Sequence, residues 1–226
     1  MAKELSHNYK IRDIKIFGST EWLANNEKKY RMVFDEAECS FIYCELSFFN
    51  KLFDEQDWSA RISLKCVNDE DGSEVCNLTA DRNITKEENI VFVREGWGVK
   101  NPGNYWKKGI YRWEAWIDNE FVGEKVFYII DLGLVSETVN PFFKMSKVKL
   151  YEGPETNVLA PERKYYSVFS SEETRYVWLE LELENLIQET AIWPCELQFY
   201  FHTNTGQLKG NIDKLLFVNT ANKTFE

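Results

Sequence analysis

Tyr30–Asn50 reads YRMVFDEAECSFIYCELSFFN, and Tyr165–Asn185 reads YYSVFSSEETRYVWLELELEN. The two stretches align at a constant offset of 135. Phe34 meets Phe169, Phe41 meets Tyr176, Tyr43 meets Trp178, Glu45 meets Glu180 and Asn50 meets Asn185; Trp58 and Trp193 keep the same spacing. Within each copy the pattern has a period of two. Ile42, Cys44, Leu46 and Phe48 alternate with Phe41, Tyr43, Glu45 and Ser47. Val177, Leu179, Leu181 and Leu183 alternate with Tyr176, Trp178, Glu180 and Glu182. Successive side chains of a strand point to opposite faces, so each copy predicts a strand with one face on a core and the other toward water. On that outer face Tyr43 and Trp178 either cover a sheet edge or form a contact surface for a partner.

The surrounding sequence extends the strand pattern. Tyr9–Phe17, Trp58–Val67, Glu74–Ala80, Ile90–Arg94, Ile110–Ile117 and Phe121–Ile130 read as further strands. The Asp71–Gly72 and Asp118–Asn119 pairs mark tight turns. Seven short strands in the first 130 residues or so predict an all-β sandwich. Gly109-Ile110-Tyr111-Arg112-Trp113 has the spacing of a tyrosine corner, with Trp113 where an antibody domain carries its second cysteine. The expected architecture is all-β: two tandem immunoglobulin-like β-sandwich units. They span 1–132 and 142–226, with a linker at 133–141. The second unit has counterparts of Asp13–Phe17 at Met145–Tyr151 and of Trp58–Val67 at Trp193–His202. It has none of Gly96–Ile130, so it is expected to be incomplete at its C-terminal side, as in the leading part of a longer protein.

The bulk properties restrict function. The chain has 226 residues and a net charge of −10, which disfavours a phosphate backbone as partner. Aromatic residues make up 15%, a composition suited to strands. The polar start MAKELSHNYKIRD has no apolar h-region, and no apolar run reaches membrane-spanning length. We therefore expect a cytoplasmic protein with neither nucleic acid nor membrane as partner. Five cysteines without a CxxC spacing disfavour a zinc site or a disulfide framework. Cys66 and Cys76 flank the Asp71–Gly72 turn, and the spacing leaves open whether they are bonded. Histidine is limited to His7 and His202, so only His202 could serve as a catalytic base. The acidic turn Asn68–Gly72 lacks the ligand loop of a calcium site. No catalytic residue, metal or cofactor is predicted.

The most suggestive segment for binding is Gly96–Lys108, GWGVKNPGNYWKK, read as a structured loop. Trp97, Tyr105 and Trp106 there could stack on a sugar or form a protein hot spot; alternatively they cap one end of the sandwich. Together with Tyr43 and Trp178 they are the candidate binding residues.

Several stretches resemble a known neighbourhood: IKIFGSTEW, EQDWSARISLKC, REGWG and WKKGIYRWEAWID, then VKLYEGP, ERKYYSVFSSEETRYVW and GQLKG. They are similar to the N-terminal region of bacterial AAA+ ATPases of the stage V sporulation protein K or CbxX type. The resemblance covers nearly the whole chain, and its motifs are structural. It implies an ATPase module downstream with a Walker loop, which Gly123-Glu124-Lys125 does not match. It further implies that this chain is a non-catalytic recognition or adaptor region binding a protein partner or the linked ATPase. The alternative is a carbohydrate-binding module using Trp97 and Trp106.

Overall fold

The computed structural model describes residues 7–19, 28–131, 140, 142–187, 192–219 and 221–225. The expected linker at 133–141 lies outside these apart from Asn140, as do residues 1–6 and 20–27. By internal contacts the chain divides into two compact units. One is Met1–Leu132 with Glu196–Leu215; the other is Gly133–Cys195 with Leu216–Glu226. This division and the sequence boundary at 142 differ in where residues 196–215 are counted.

The first unit has eight strands: β1 (Tyr9–Ser19), β2 (Val33–Asp35), β3 (Phe41–Asn50), β4 (Trp58–Asn68), β5 (Glu74–Ile84), β6 (Ile90–Gly98), β7 (Gly109–Ile117) and β8 (Glu120–Ile130). They form a three-stranded sheet, β1-β3-β6, and a five-stranded sheet, β2-β8-β7-β4-β5. All neighbours are antiparallel except β2, which runs parallel to β8. This is an immunoglobulin-like sandwich. Its core takes Ile42, Cys44, Leu46 and Phe48 from one sheet and Ala60, Ile62, Leu64, Cys66, Trp113, Ala115 and Ile117 from the other. These are the residues on the apolar stripes of the alternating pattern.

Turn chemistry closes the hairpins. Asp118 and Asn119 both have positive φ, 50° and 65°, as a two-residue hairpin turn with the twist of its strands requires. The Tyr111 hydroxyl donates to the Lys107 carbonyl at 3.0 Å, completing the tyrosine corner. Trp113 is fully buried opposite Cys66, filling the core without a disulfide. Cys66 and Cys76 face each other across β4 and β5 as free thiols.

Two expectations need correction. The outer face of β3 is not wet: Phe41, Tyr43, Glu45 and Ser47 are all buried. The reason is a cover from outside the strand, described below. And Gly96–Lys108 is not all loop, because β6 continues to Gly98. Gly98 adopts a φ of +144°, and a Cβ there would lie 1.9 Å from the Ser40 carbonyl oxygen. Only glycine fits this close approach.

The second unit repeats part of the first, above all its β1–β3 pair. Its elements are β9 (Phe143–Gly153), a 3₁₀ turn (Ala160–Glu162), β10 (Tyr176–Asn185), β11 (Ile192–His202), β12 (Leu208–Asn219) and β13 (Thr224–Phe225). The hairpin β11–β12 spans the division between units. The pairing of β9 with β10 copies that of β1 with β3 at every position. Lys15 faces Glu45 as Lys149 faces Glu180, and Phe17 faces Tyr43 as Tyr151 faces Trp178. Even the irregularity recurs, at Arg12 in β1 and Ser146 in β9. β13 matches the first two residues of β6: Glu184 pairs with Thr224 as Phe49 pairs with Ile90. The small buried core of this unit is Tyr151, Leu183, Trp193, Cys195 and Val218.

Candidate functional site

Each unit carries a carboxylate on the outer face of its second long strand, buried at Glu45 and mostly covered at Glu180, and held by one tyrosine and two cations. In the first unit the Tyr30 hydroxyl donates to Glu45 Oε1 at 2.7 Å, and Lys28 Nζ reaches Oε2 at 3.2 Å. Arg94 of β6 also donates to Oε2. Tyr43 stacks on Phe17, with ring centroids 5.0 Å apart, and Tyr30 meets Phe17 edge-on at 5.8 Å. In the second unit the Tyr165 hydroxyl donates to Glu180 Oε2 at 2.7 Å, and Arg163 reaches the same oxygen at 2.6 Å. Lys149 Nζ lies 3.0 Å from Oε1. Trp178 stacks on Tyr151 at 6.2 Å, and Tyr165 meets Tyr151 edge-on at 6.0 Å. Tyr30 and Tyr165, like Lys28 and Arg163, stand 135 residues apart. The offset alone could have revealed this cluster.

Charge balance explains why the carboxylates are tolerated. Burial pushes the Glu45 carboxyl up, but donors from Arg94, Tyr30 and Lys28 outweigh it and hold the group below its ordinary value. Tyr30 is correspondingly raised to about 12, by burial and then by its bond to Glu45. Hydrogen bonds led by that of Tyr165 lower Glu180 to about 2. Every donor is committed to holding the carboxylate charged, so neither Glu45 nor Glu180 is placed to exchange a proton near neutral pH. The clusters act as clamps between strands.

The expected binding residues divide accordingly. Tyr43 is 4% exposed, and Trp106 only 1%. Neither can stack on a ligand at the surface, so both expectations are corrected. Tyr43 lies over Gly96, where a Cβ would come within 2.5 Å of its ring. Trp106 sits edge-on to Tyr111 and Phe127, and its indole donates to the Trp97 carbonyl at 3.2 Å. Trp97 and Tyr105 are half-buried and spend their polar ends on each other, at 2.7 Å. Trp178 is half-buried, and its indole donates to the Pro154 carbonyl at 3.1 Å. The structure therefore brings Trp97, Tyr105 and Trp106 together as the closed end of the first sandwich.

Other candidates are likewise engaged. Asp69 in the acidic turn pairs with Arg112, and Asp71 accepts from Ser73. His202 Nδ1 lies 3.2 Å from the Gly206 carbonyl at the β11–β12 turn. Burial pushes the Cys39 and Cys76 thiols up to about 12 and raises Cys44 and Cys66 as well, leaving them poor nucleophiles. Glu196 is raised by burial, although it accepts from the Met32 and Val33 amides at 2.7 and 2.9 Å. It belongs to the stretch Glu196–Leu215 that groups with the first unit, and Gln198 adds a bond to the Tyr30 carbonyl. Among the described residues no cluster of His, Cys, Asp or Glu could hold a metal ion. None forms a helix long and apolar enough to cross a membrane.

What alternation in the sequence could not reveal is a difference between the copies. In the first unit Ile14 is 7% exposed and Ile42 not at all. Their counterparts Val148 and Val177 are 54% and 49% exposed, and Met145, the counterpart of Ile11, is 58% exposed. In the first unit β7 and β8 cover this face: Ile14 lies against Gly123 of β8, and Ile42 shares a core with Trp113 and Ala115. The open edge follows the same contrast. Asn50 donates its backbone N–H toward β6, to Asn89, as Asn185 donates to Lys223. The period of two then turns the N–H groups of Ile42, Cys44 and Leu46 toward β6, and those of Val177, Leu179 and Leu181 toward the corresponding edge. Among the described residues no strand pairs with β10 there beyond Leu183.

No family model matches this chain, and no curated protein matches it. Among solved structures it is similar to an immunoglobulin-like protein from Pseudomonas aeruginosa, at 13% identity and a TM-score of 0.35, over 56% of this chain and 99% of that one. It is also similar to the Pseudomonas fluorescens alkylpurine DNA glycosylase AlkC bound to DNA containing an abasic site analog, at 8% identity and a TM-score of 0.36, over 54% of this chain. The chain spans 30% of the glycosylase's length. The strand order described above makes the chain all-β, with immunoglobulin-like units in tandem.

Proposed function

We propose that this chain is a non-catalytic protein-binding module that presents bound polypeptide to an ATPase module linked to it. The observation that carries the binding role is the uncovered apolar face of the second unit. Met145, Val148 and Val177 stand about half exposed, where the first unit buries Ile14 and Ile42 and partly buries Ile11 at the matching places. Contiguous exposed apolar surface of this kind is costly unless further polypeptide covers it, which supports a binding role. The committed state of Glu45, Glu180, His202 and the cysteines supports a role without chemistry. The acidic surface favours a protein over nucleic acid. The linked ATPase rests on the sequence resemblance to bacterial AAA+ proteins, and a cytoplasmic location follows from the same reading.

The test is selection of a phage-displayed random peptide library on the purified chain. The expected result is enrichment of sequences that compete with one another and lose binding to Val148→Asp. Failure to enrich any sequence, or enrichment indifferent to Val148→Asp and Val177→Asp, would refute the binding role.

A further inference from the structure

We infer that the outer face of the β1-β3-β6 sheet binds an acidic segment of a partner polypeptide, with an aromatic side chain seated on Phe49 and Phe92 and carboxylates on the cations around them. This rests on the protein-binding reading, places it on a surface of the first unit and gives the partner's chemistry. The observation is a difference in charge between the two copies. In the second unit the register sets Lys144, Lys147 and Lys149 of β9 beside Glu184, Glu182 and Glu180 of β10. Lys147 and Lys149 close ion pairs with Glu182 and Glu180 at 2.8 and 3.0 Å. In the first unit two of these three carboxylates are replaced. Phe49 stands in the place of Glu184, and Ser47 in that of Glu182.

The cations of the first unit nevertheless remain. Lys10 faces Phe49 as Lys144 faces Glu184, and Arg12, at the irregularity of β1, stands over the Phe49 ring at 6.0 Å. Neither Lys10 nor Arg12 forms an ion pair among the described residues. Phe92 of β6 faces Ser47, which makes it the diagonal neighbour of Phe49 on the same face. Arg94 stands over the Phe92 ring at 5.0 Å. It meets Glu45 through Nε, and its two terminal nitrogens make no hydrogen bond to a described residue. Phe49 and Phe92 are 38% and 39% exposed. Lys15 and Lys28 bring the cations of this face to five, against two carboxylates, Asp13 and Glu45. On a chain of net charge −10 that is a local excess of the opposite sign. Two aromatic rings, each under a guanidinium, make an apolar floor with a charged rim, the composition of a protein hot spot. Carboxylates from a partner supply here what Glu182 and Glu184 supply within the second unit, and complementary charge selects for them. At physiological ionic strength the screening length is about 8 Å, so these cations act on a bound segment while the distant acidic surface is screened.

The probe is the synthetic peptide Gly-Glu-Glu-Phe-Glu-Glu-Gly carrying a dye, titrated with the full chain at physiological ionic strength and followed by fluorescence anisotropy. The expected result is saturable one-to-one binding that weakens as salt is added. Glutamine in place of the glutamates, or Arg12→Glu in the protein, should each weaken it about tenfold. Phe92→Ser should weaken it about fivefold. Arg12 and Phe92 are exposed, so circular dichroism should be unchanged; Arg94 is left in place because it holds Glu45. Arg61→Glu, at an exposed cation on β4 in the other sheet, should leave binding as it is. Absence of saturable binding, indifference to Arg12→Glu, or an equal loss with Arg61→Glu overturns the inference. Tighter binding of a single-stranded oligothymidylate, abolished by Arg12→Glu, overturns it by giving the face to nucleic acid. Self-association abolished by Arg12→Glu, seen in sedimentation, overturns it by giving the face to a second copy. If the phage library enriches sequences that depend on Val148 while the acidic peptide fails, this inference falls and the protein-binding reading stands; if neither binds, both fall.

Discussion

Truncating Ile14 and Val148 to alanine provides a matched pair of perturbations at one structural position, differing only in what covers it. Ile14 is 7% exposed, lies in the main core, and has its Cδ1 3.0 Å from where a Cβ on Gly123 would be. Ile14→Ala removes three carbons, about 2.4 kcal/mol of transfer energy at about 0.8 per carbon. A residual cavity raises the expected loss to about 3–4 kcal/mol. Val148→Ala removes two carbons, about 1.6 kcal/mol if fully buried. At 54% exposure only about half of that applies, and no closed cavity forms, so the expected loss is about 0.7 kcal/mol. Urea denaturation followed by tryptophan fluorescence and circular dichroism, with the transition of each unit fitted separately, measures both. A loss above about 2 kcal/mol for Val148→Ala would show the face to be covered and would refute the contrast between the units.

Three further outcomes follow from the same geometry. Asn50 links β3 to two loops: its side chain donates to the Thr85 and Glu88 carbonyls and accepts from the Leu52 amide and the Trp58 indole. Asn50→Ala should therefore cost about 3 kcal/mol in thermal or urea unfolding of the first unit, and a loss below about 1 would contradict that role. Gly98→Ala should lower stability by about 3 kcal/mol or prevent folding, because the backbone conformation and the Ser40 carbonyl both exclude a Cβ; a fully stable variant would show that β6 ends differently. The lowered Glu180 carboxyl makes a pH-dependent contribution: it is fully present above the group's ordinary value of 4.5 and lost as pH falls toward about 2. Glu180→Gln should flatten the acid limb of the second unit's stability curve over that window; an unchanged limb would place the acid sensitivity elsewhere.

The strands and their inward stripes were legible in the sequence because alternation and the offset of 135 are local or directly countable. The tyrosine corner and the Asp118–Asn119 turn were legible because their chemistry is short-range. β2 was not: three residues paired in parallel with a distant strand leave no periodic signal. The burial of Glu45 was hidden for a related reason. Alternation placed it on a wet face, but Lys28, Tyr30 and Arg94 reach it from other segments and make that face dry. Trp106 sits in a Gly-rich stretch that reads as a structured loop open to either binding or capping, and its ring completes the core beside Tyr111 and Phe127. The most informative feature for function, exposure of Val148 and Val177, is invisible in their sequence. The residues are as apolar as Ile14 and Ile42, and only the cover differs.

Residue-resolved amide hydrogen exchange on β3 and β10 tests the open edge most directly. The Cys44 and Leu46 amides, bonded into β6, should exchange slowly, whereas those of Leu179 and Leu181 in this chain should exchange fast. Slow exchange at Leu179 and Leu181, or fast exchange at Cys44 and Leu46, would contradict the account.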